Sequence, residues 1–301
     1  MSAASQYILL LSIINAIGAW SVAFCIRGGL LSASHAAIAG AGGYAAGWTI
    51  LHANNYFLAW LAGIGAGIVL ALVLGLATVR IRGLLAAVAT LVLGEALIAS
   101  ISGIQALGAD IGLTGLPLRV GLDQGIVALA VVIVLGMVVY KTRLSIQLPL
   151  LANSRDVLAS VGSRPTSSYL AMMAISGAAA GIAGVLNAFS AGLVQPSDLA
   201  IDTSLTWLIY AVVGGAFSNI GPIVVALAMT EIELQSGLGE PAQLLINGAV
   251  LIVVLVVRPG GLLGRHSTRL VDTRRRGLRG PPTSAFSRAR WPGRRSRAPT
   301  E

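Results

Sequence analysis

Apolar residues in this chain fall into long blocks: 7–26, 30–51, 57–79, 84–107, 124–140, 168–193, an interrupted stretch at 204–236, and 241–257. A hydrocarbon core about 30 Å thick is crossed by about 20 residues of helix, so each block predicts a membrane span. The expected fold class is therefore all-α, a polytopic membrane helical bundle of about eight to nine spans once broken helices are counted. Most connections are short; the segments 108–123 and 141–167 are longer and more polar. Small residues recur at helical spacing, as in Gly177, Gly181 and Gly184, and again in Gly63 and Gly67. Such faces let helix backbones approach closely where lipid removes the usual hydrophobic drive for association.

Composition strengthens this picture. The 301 residues are 56% hydrophobic and 10% charged, whereas soluble domains carry about a quarter charged residues. The formal charge of +9 is unevenly placed. Residues 1–257 hold 8 basic and 9 acidic side chains, while 258–301 hold 12 arginines against Asp272 and Glu301. This divides the chain into a transmembrane domain, 1–264, and an Arg-rich tail, 265–301, expected to be disordered and cytoplasmic. A nucleic-acid partner is not expected. Cys25 stands alone in an apolar block, which excludes an internal disulfide framework. No Lys or Arg precedes it and bulky Phe24 adjoins it, so residues 1–25 are expected to be a retained first span, not a lipoprotein signal.

Charge placement sets an orientation. Arg80 and Arg82 share a side with Lys141, Arg143, Arg155 and Arg164, and the excess of positive charge marks that side as cytoplasmic. Asp198 and Asp202 then fall outside, and the tail must return inside. An unbroken helix through 204–230 gives the wrong parity. The expectation is a helix break at Gly214, Gly215, Gly221 and Pro222, forming two half-spans that place Glu231, Glu233 and Glu240 outside. Irregular backbone at membrane depth is tolerated where it faces protein or a water-filled cavity, so the break points toward a transport pathway.

The chemistry-bearing segments are few. In 150–165, Asn153 or Ser154 can cap a short helix whose first turn carries Arg155 and Asp156. Leu158 and Val161, with Val157, form one small apolar face, and Gly162 and Pro165 stop the helix. This piece can dock in a partner's groove or lie against its own bundle or the membrane surface. Glu95 sits about 12 residues into its span, near the midplane, where a carboxylate is costly. Ser32, Ser34 and His35 open the second block. The three histidines lie in separate segments, so no metal site is expected. The single lysine, Lys141, follows no glycine run, so the chain has no Walker A loop and is not expected to hydrolyse nucleotide. No cofactor or enzymatic site is expected.

Several of these segments together resemble the permease family of branched-chain amino acid ABC importers, in its LivM-like branch. The residues are Gly29–Ala37 with Gly40, Gly42 and Tyr44; Arg80–Gly83 with Thr90, Leu91, Gly94 and Glu95; Thr114-Gly115; Gly177–Gly184; Pro196-Ser197; Val213–Gly215, Ser218 and Gly221-Pro222; and Arg258-Pro259 with Gly261–Gly264. Phe217 stands where the family usually has Gly, Ser34 replaces a Gly and Ile38 a Phe. The resemblance spans about residues 7–264. It implies a second homologous permease subunit, two ATP-binding subunits, an extracytoplasmic solute-binding protein, and a place in the bacterial inner membrane. It also implies that Asn153, Arg155, Asp156, Leu158, Val161 and Gly162 belong to a helix coupled to an ATPase. Ser32, Ser34, His35 and Glu95 become candidates for the substrate path. Urea or amides, sugars or nucleosides remain alternative cargoes at this point, and an ion-coupled secondary transporter remains an alternative class.

Overall fold

The computed structural model describes residues 3–81, 83–236, 239–258 and 260–263. The tail at 265–301 and Glu301 lie outside the described residues. The helices are α1 (Ala3–Arg27), α2 (His35–Ala53), α3 (Tyr56–Thr78), α4 (Leu84–Ser102), α5 (Leu122–Lys141), α6 (Leu144–Asn153), α7 (Arg155–Ser160), α8 (Pro165–Ala191), α9 (Ile201–Gly214), α10 (Gly221–Ser236) and α11 (Glu240–Val257). Five of them, α1, α3, α4, α5 and α8, are long and apolar enough to cross a membrane by length and composition alone. The fold is an all-α membrane bundle. Two dipeptides, β1 (Leu113–Thr114) and β2 (Leu193–Val194), pair antiparallel and tie the loop after α4 to the end of α8.

The centre of the bundle is held by small residues. On α3, Gly63, Gly67, Ala71 and Gly75 line one face, and on α8 they meet Gly177, Gly181, Val185 and Met173. The two helices run antiparallel, and a 2.9 Å hydrogen bond between Thr78 Oγ1 and the Tyr169 hydroxyl closes the seam. A Cβ on Gly67 would lie 2.5 Å from the Gly177 carbonyl oxygen, and one on Gly42 of α2 would lie 2.9 Å from Gly181 Cα. Three backbones thus touch where side chains would normally stand. The spacing of small residues in the sequence foreshadows this crossing.

One face gathers the positive charge. The Arg155 guanidinium donates to the Val79 carbonyl and stands over the Tyr169 ring at 5.5 Å. Gly29 approaches Ala152 so closely that a Cβ would lie 2.8 Å from its Cα. The ends of α1 and α3, the segment 142–164 and the turn between α9 and α10 all meet here. The opposite face carries the β1–β2 pair, the α2–α3 turn capped by Asn55 on the Leu58 N–H at 3.1 Å, and the Tyr56–Gln124 hydrogen bond.

Several boundaries depart from the sequence reading. The second helix begins at His35, not at 30, because Gly28 and Gly29 turn the chain and residues 30–34 carry no helix. A further helix, α6, occupies 144–153 despite Pro149 within it. The expected half-spans at 204–236 are instead a hairpin of 14- and 16-residue helices, about 21 and 24 Å long at about 1.5 Å per residue. Its turn lies at the basic face.

Candidate functional site

Three places bear on function: the start of α2, the α9–α10 turn, and α7. At the first, the chain leaves α1 at the basic face and doubles back through the non-helical residues 30–34 before α2 begins. Irregular backbone at this depth must find partners inside the protein. Ser32 and Ser34 are buried, with their hydroxyls 3.1 Å apart. The Ala33 N–H donates to Thr90 Oγ1 of α4 at 3.3 Å, and the Ala36 N–H donates to Ser204 Oγ of α9 at 3.0 Å. His35, fully buried, shares a 2.7 Å hydrogen bond between Nε2 and Ser176 Oγ, which in turn donates to the Ser21 carbonyl at 2.8 Å. Four helices, α1, α4, α8 and α9, therefore converge on the first turn of α2.

Ser32, Ser34 and His35 are thus brought together. Glu95 is not among them. It lies on the exposed side of α4, while Thr90 and Gly94 form the side that packs on residues 33–34. Sequence reasoning missed Ser176 and Ser204. Their only signal was a hydroxyl within an apolar span, a common feature that single-sequence patterning does not rank.

The α9–α10 turn is clamped from two sides. Arg27, at the end of α1, donates through Nε to the Ala216 carbonyl at 2.7 Å and through Nη2 to the Ser218 carbonyl at 2.9 Å. Trp20 Nε1 donates to Asn219 Oδ1 at 3.0 Å. From the other side, the Leu262 and Leu263 N–H groups donate to the Val213 and Gly214 carbonyls at 2.8 and 3.3 Å. Helix ends leave such carbonyls without partners, and here a distant segment supplies the donors. Gly215, at φ +92, and Gly261, at φ +81, are pressed together; a Cβ on Gly261 would lie 2.4 Å from Gly215 Cα. Gly214 and Gly221 approach equally closely, and Pro222 opens α10 where no helical donor is needed.

Glu233 was expected on the outer side, beyond the break. It lies near the end of α10 away from the basic face and is buried, its carboxylate accepting a shared hydrogen bond from the Tyr210 hydroxyl, 2.8 and 3.0 Å from its two oxygens. The single hydroxyl proton of Tyr210 in α9 is shared between the two oxygens, and Asn247 of α11 is a second hydrogen-bond partner.

At the basic face, Ser154 caps α7 by accepting the Val157 N–H at 3.4 Å, while Asn153 donates to the Pro149 carbonyl at 2.8 Å. Gly162 turns the chain at φ +78, a conformation open to glycine. The expected apolar face divides in two. Leu158 is fully buried against the bundle, whereas Val157 and Val161 are 48% and 62% exposed. Asp156 is exposed beside them.

Comparison with known proteins places this architecture. The family described as "Branched-chain amino acid transport system / permease component" matches residues 5–255. The chain belongs to this family. Among relatives, the permease is 34% identical over 105 residues to the high-affinity branched-chain amino acid transport system permease protein LivM of Salmonella typhimurium. That match covers 35% of the chain and 24% of the relative, so it spans about a quarter of LivM's length. Among solved structures, PsaBC from Streptococcus pneumoniae in complex with Fab aligns with 89% of the permease and 94% of its own chain, at 12% identity and a TM-score of 0.47. The permease is an ABC-transporter component and a multi-pass membrane protein.

Proposed function

We propose that the permease forms the transmembrane pathway of an importer for branched-chain or related amino acids. It would pair with a second, related permease, two ATP-binding subunits and an extracytoplasmic solute-binding protein, in the inner membrane of a bacterium. Hydrolysis of ATP belongs to the partners in this reading. The observation that carries it is α7: a capped helix on the basic face that anchors itself through Leu158 and leaves Val157 and Val161 outward. An exposed apolar pair, Val157 in α7 and Val161 at its C-terminal cap, suits a groove in a partner.

The connections of α7 supply a mechanical route. Arg155 ties it to the end of α3, and the turn at Gly162 leads directly into α8. Ser176 of α8 holds His35, the first residue of α2. Movement of α7 by closing ATPases would therefore be felt at the start of α2, where Ser32 and Ser34 lie. In this reading these three residues gate the path, and Glu95 faces a second permease or the water between the two chains, since an exposed carboxylate at membrane depth is costly against lipid.

Two substitutions test it in proteoliposomes holding the full complex. Val157→Asp places an unpaired charge in the proposed groove and should lower ATP-driven leucine uptake at least about tenfold, about 1.4 kcal/mol. Bundle stability should stay unchanged, because Val157 is exposed. Uptake at the normal rate would remove α7 from the coupling role. Glu95→Ala should slow uptake by about tenfold, equivalent to about 1.4 kcal/mol on the barrier. An unchanged rate would remove Glu95 from the path.

A further inference from the structure

A cavity of about 420 Å³ lies between α1, α2, α8 and α9, and none of Ser32, Ser34, His35 or Glu95 lines it. Its upper wall includes Tyr7, Leu193 and Gln195, on the face opposite the basic one. Its floor is the first turns of α2, at Ala36, Ala39 and Gly40. The space therefore lies in the half of the bundle away from the basic face and ends just above the convergence at His35.

The lining has a definite chemistry. Among the described residues it contains no Asp, Glu, Lys or Arg. Leu11, Ile14 and Trp207 supply apolar surface, and the amides of Asn15 and Asn187 supply hydrogen-bonding groups. Asn15 is fixed in orientation, since Trp207 Nε1 donates to its Oδ1 at 2.8 Å and its Nδ2 donates to Thr230 Oγ1 at 3.2 Å. The Asn187 side chain makes no hydrogen bond among the described residues, and its amide offers both a donor and an acceptor to a ligand. The volume falls at the small end of the range of about 300–1,000 Å³ for small-molecule sites. A solute with net charge would enter without a counter-ion and lose its hydration, a large penalty. In a net-neutral zwitterion the two charges offset one another, and its ammonium and carboxylate can exchange water for the amide groups of the lining, so less of the cost is left uncompensated.

We infer that this cavity is a binding site for one small, net-neutral amphipathic solute, of the size and class of an aliphatic amino acid, held inside a single permease chain. The inference rests on the importer reading above and adds to it a location, the outer half of the α1–α2–α8–α9 cluster, and a selectivity, the exclusion of net charge. The residues near His35 then act below the resting solute and do not hold it.

Binding of radiolabelled L-leucine, L-lysine and L-glutamate to the full chain in complex with its partners, read by scintillation proximity, tests the site. The wild-type protein should bind leucine and discriminate against lysine and glutamate at least tenfold. Leu193→Trp, which fills the cavity, and Asn187→Leu, which removes its free amide, should each weaken leucine binding at least tenfold. Val253→Trp, on the exposed side of α11, should not. Asn187→Asp should raise lysine binding relative to leucine. Leucine binding that is absent from the wild type, or unchanged in Leu193→Trp, overturns the site. Failure of the importer reading is separately visible: leucine binding with this mutational pattern would persist while ATP-driven uptake in proteoliposomes is absent.

Discussion

Gly67→Leu is expected to abolish accumulation of the folded permease, whereas Gly65→Leu, two residues away on the same helix, should leave it intact. The two glycines differ only in surroundings. A Cβ at Gly65 meets nothing within 4 Å, while at Gly67 it would lie 2.5 Å from the Gly177 carbonyl oxygen and 2.9 Å from Gly181 Cα. Those neighbours are backbone and cannot swing aside. Overpacking a well-filled contact costs about 1–3 kcal/mol when side chains can adjust, so a backbone clash should reach the upper end or exceed it. Helices in lipid have no hydrophobic effect to hold them together once the close fit is lost, which makes the loss of packing decisive. Fluorescence-detected size-exclusion chromatography of tagged variants reads the result. A monodisperse Gly67→Leu peak at the wild-type level would show that α3 and α8 are not pressed together as described.

Arg27→Met is expected to lower the apparent melting temperature by roughly 6–12 °C, a change that follows from a loss of about 3 kcal/mol. Met preserves the apolar stem and removes both donors, so the Ala216 and Ser218 carbonyls at the α9–α10 turn lose their partners. Arg27→Lys should recover only part of the stability, because a single ammonium cannot present Nε and Nη2 to two carbonyls in the same fixed geometry. A thermal shift assay in detergent distinguishes the three proteins. Equal melting of wild type and Arg27→Met would mean that the turn is held by its other contacts, Trp20–Asn219 and Leu262–Val213, alone.

These two sites also show what the sequence could reveal. The α3–α8 crossing is readable because it depends on a periodic local property, small residues every fourth position, which appears in the chain as Gly63, Gly67 and Gly177, Gly181. The break between α9 and α10 is readable for a similar reason, since Gly214, Gly215, Gly221 and Pro222 are poor in a helix interior. Its position at the basic face is not, because that depends on Arg27 and Leu262, which lie 189 and 48 residues from the turn residues Ala216 and Gly214. The late start of α2 is hidden by the apolar Leu30 and Leu31, which continue the hydropathy of the block while the backbone there is not helical. Leu158 and Val161 look equivalent on a helical wheel. Only tertiary packing decides that Leu158 turns inward and the two valines outward. The burial of Glu233 could not be read, because a carboxylate near a span's end looks like a loop residue unless its hydroxyl partner, Tyr210, is known.

The hydrogen bonds from Leu262 and Leu263 to Val213 and Gly214 also impose an order on synthesis. Ribosomes deliver α9 well before residues 262 and 263 exist, so its last carbonyls enter the membrane without their final donors. Until residues 262 and 263 have been made, the α9–α10 turn can draw only on partners from the earlier part of the chain, Arg27 and Trp20 of α1. A nascent chain arrested before residue 262 would therefore carry every long helix but an unsealed hairpin. The final stitch would then serve as a marker that the whole bundle has been threaded.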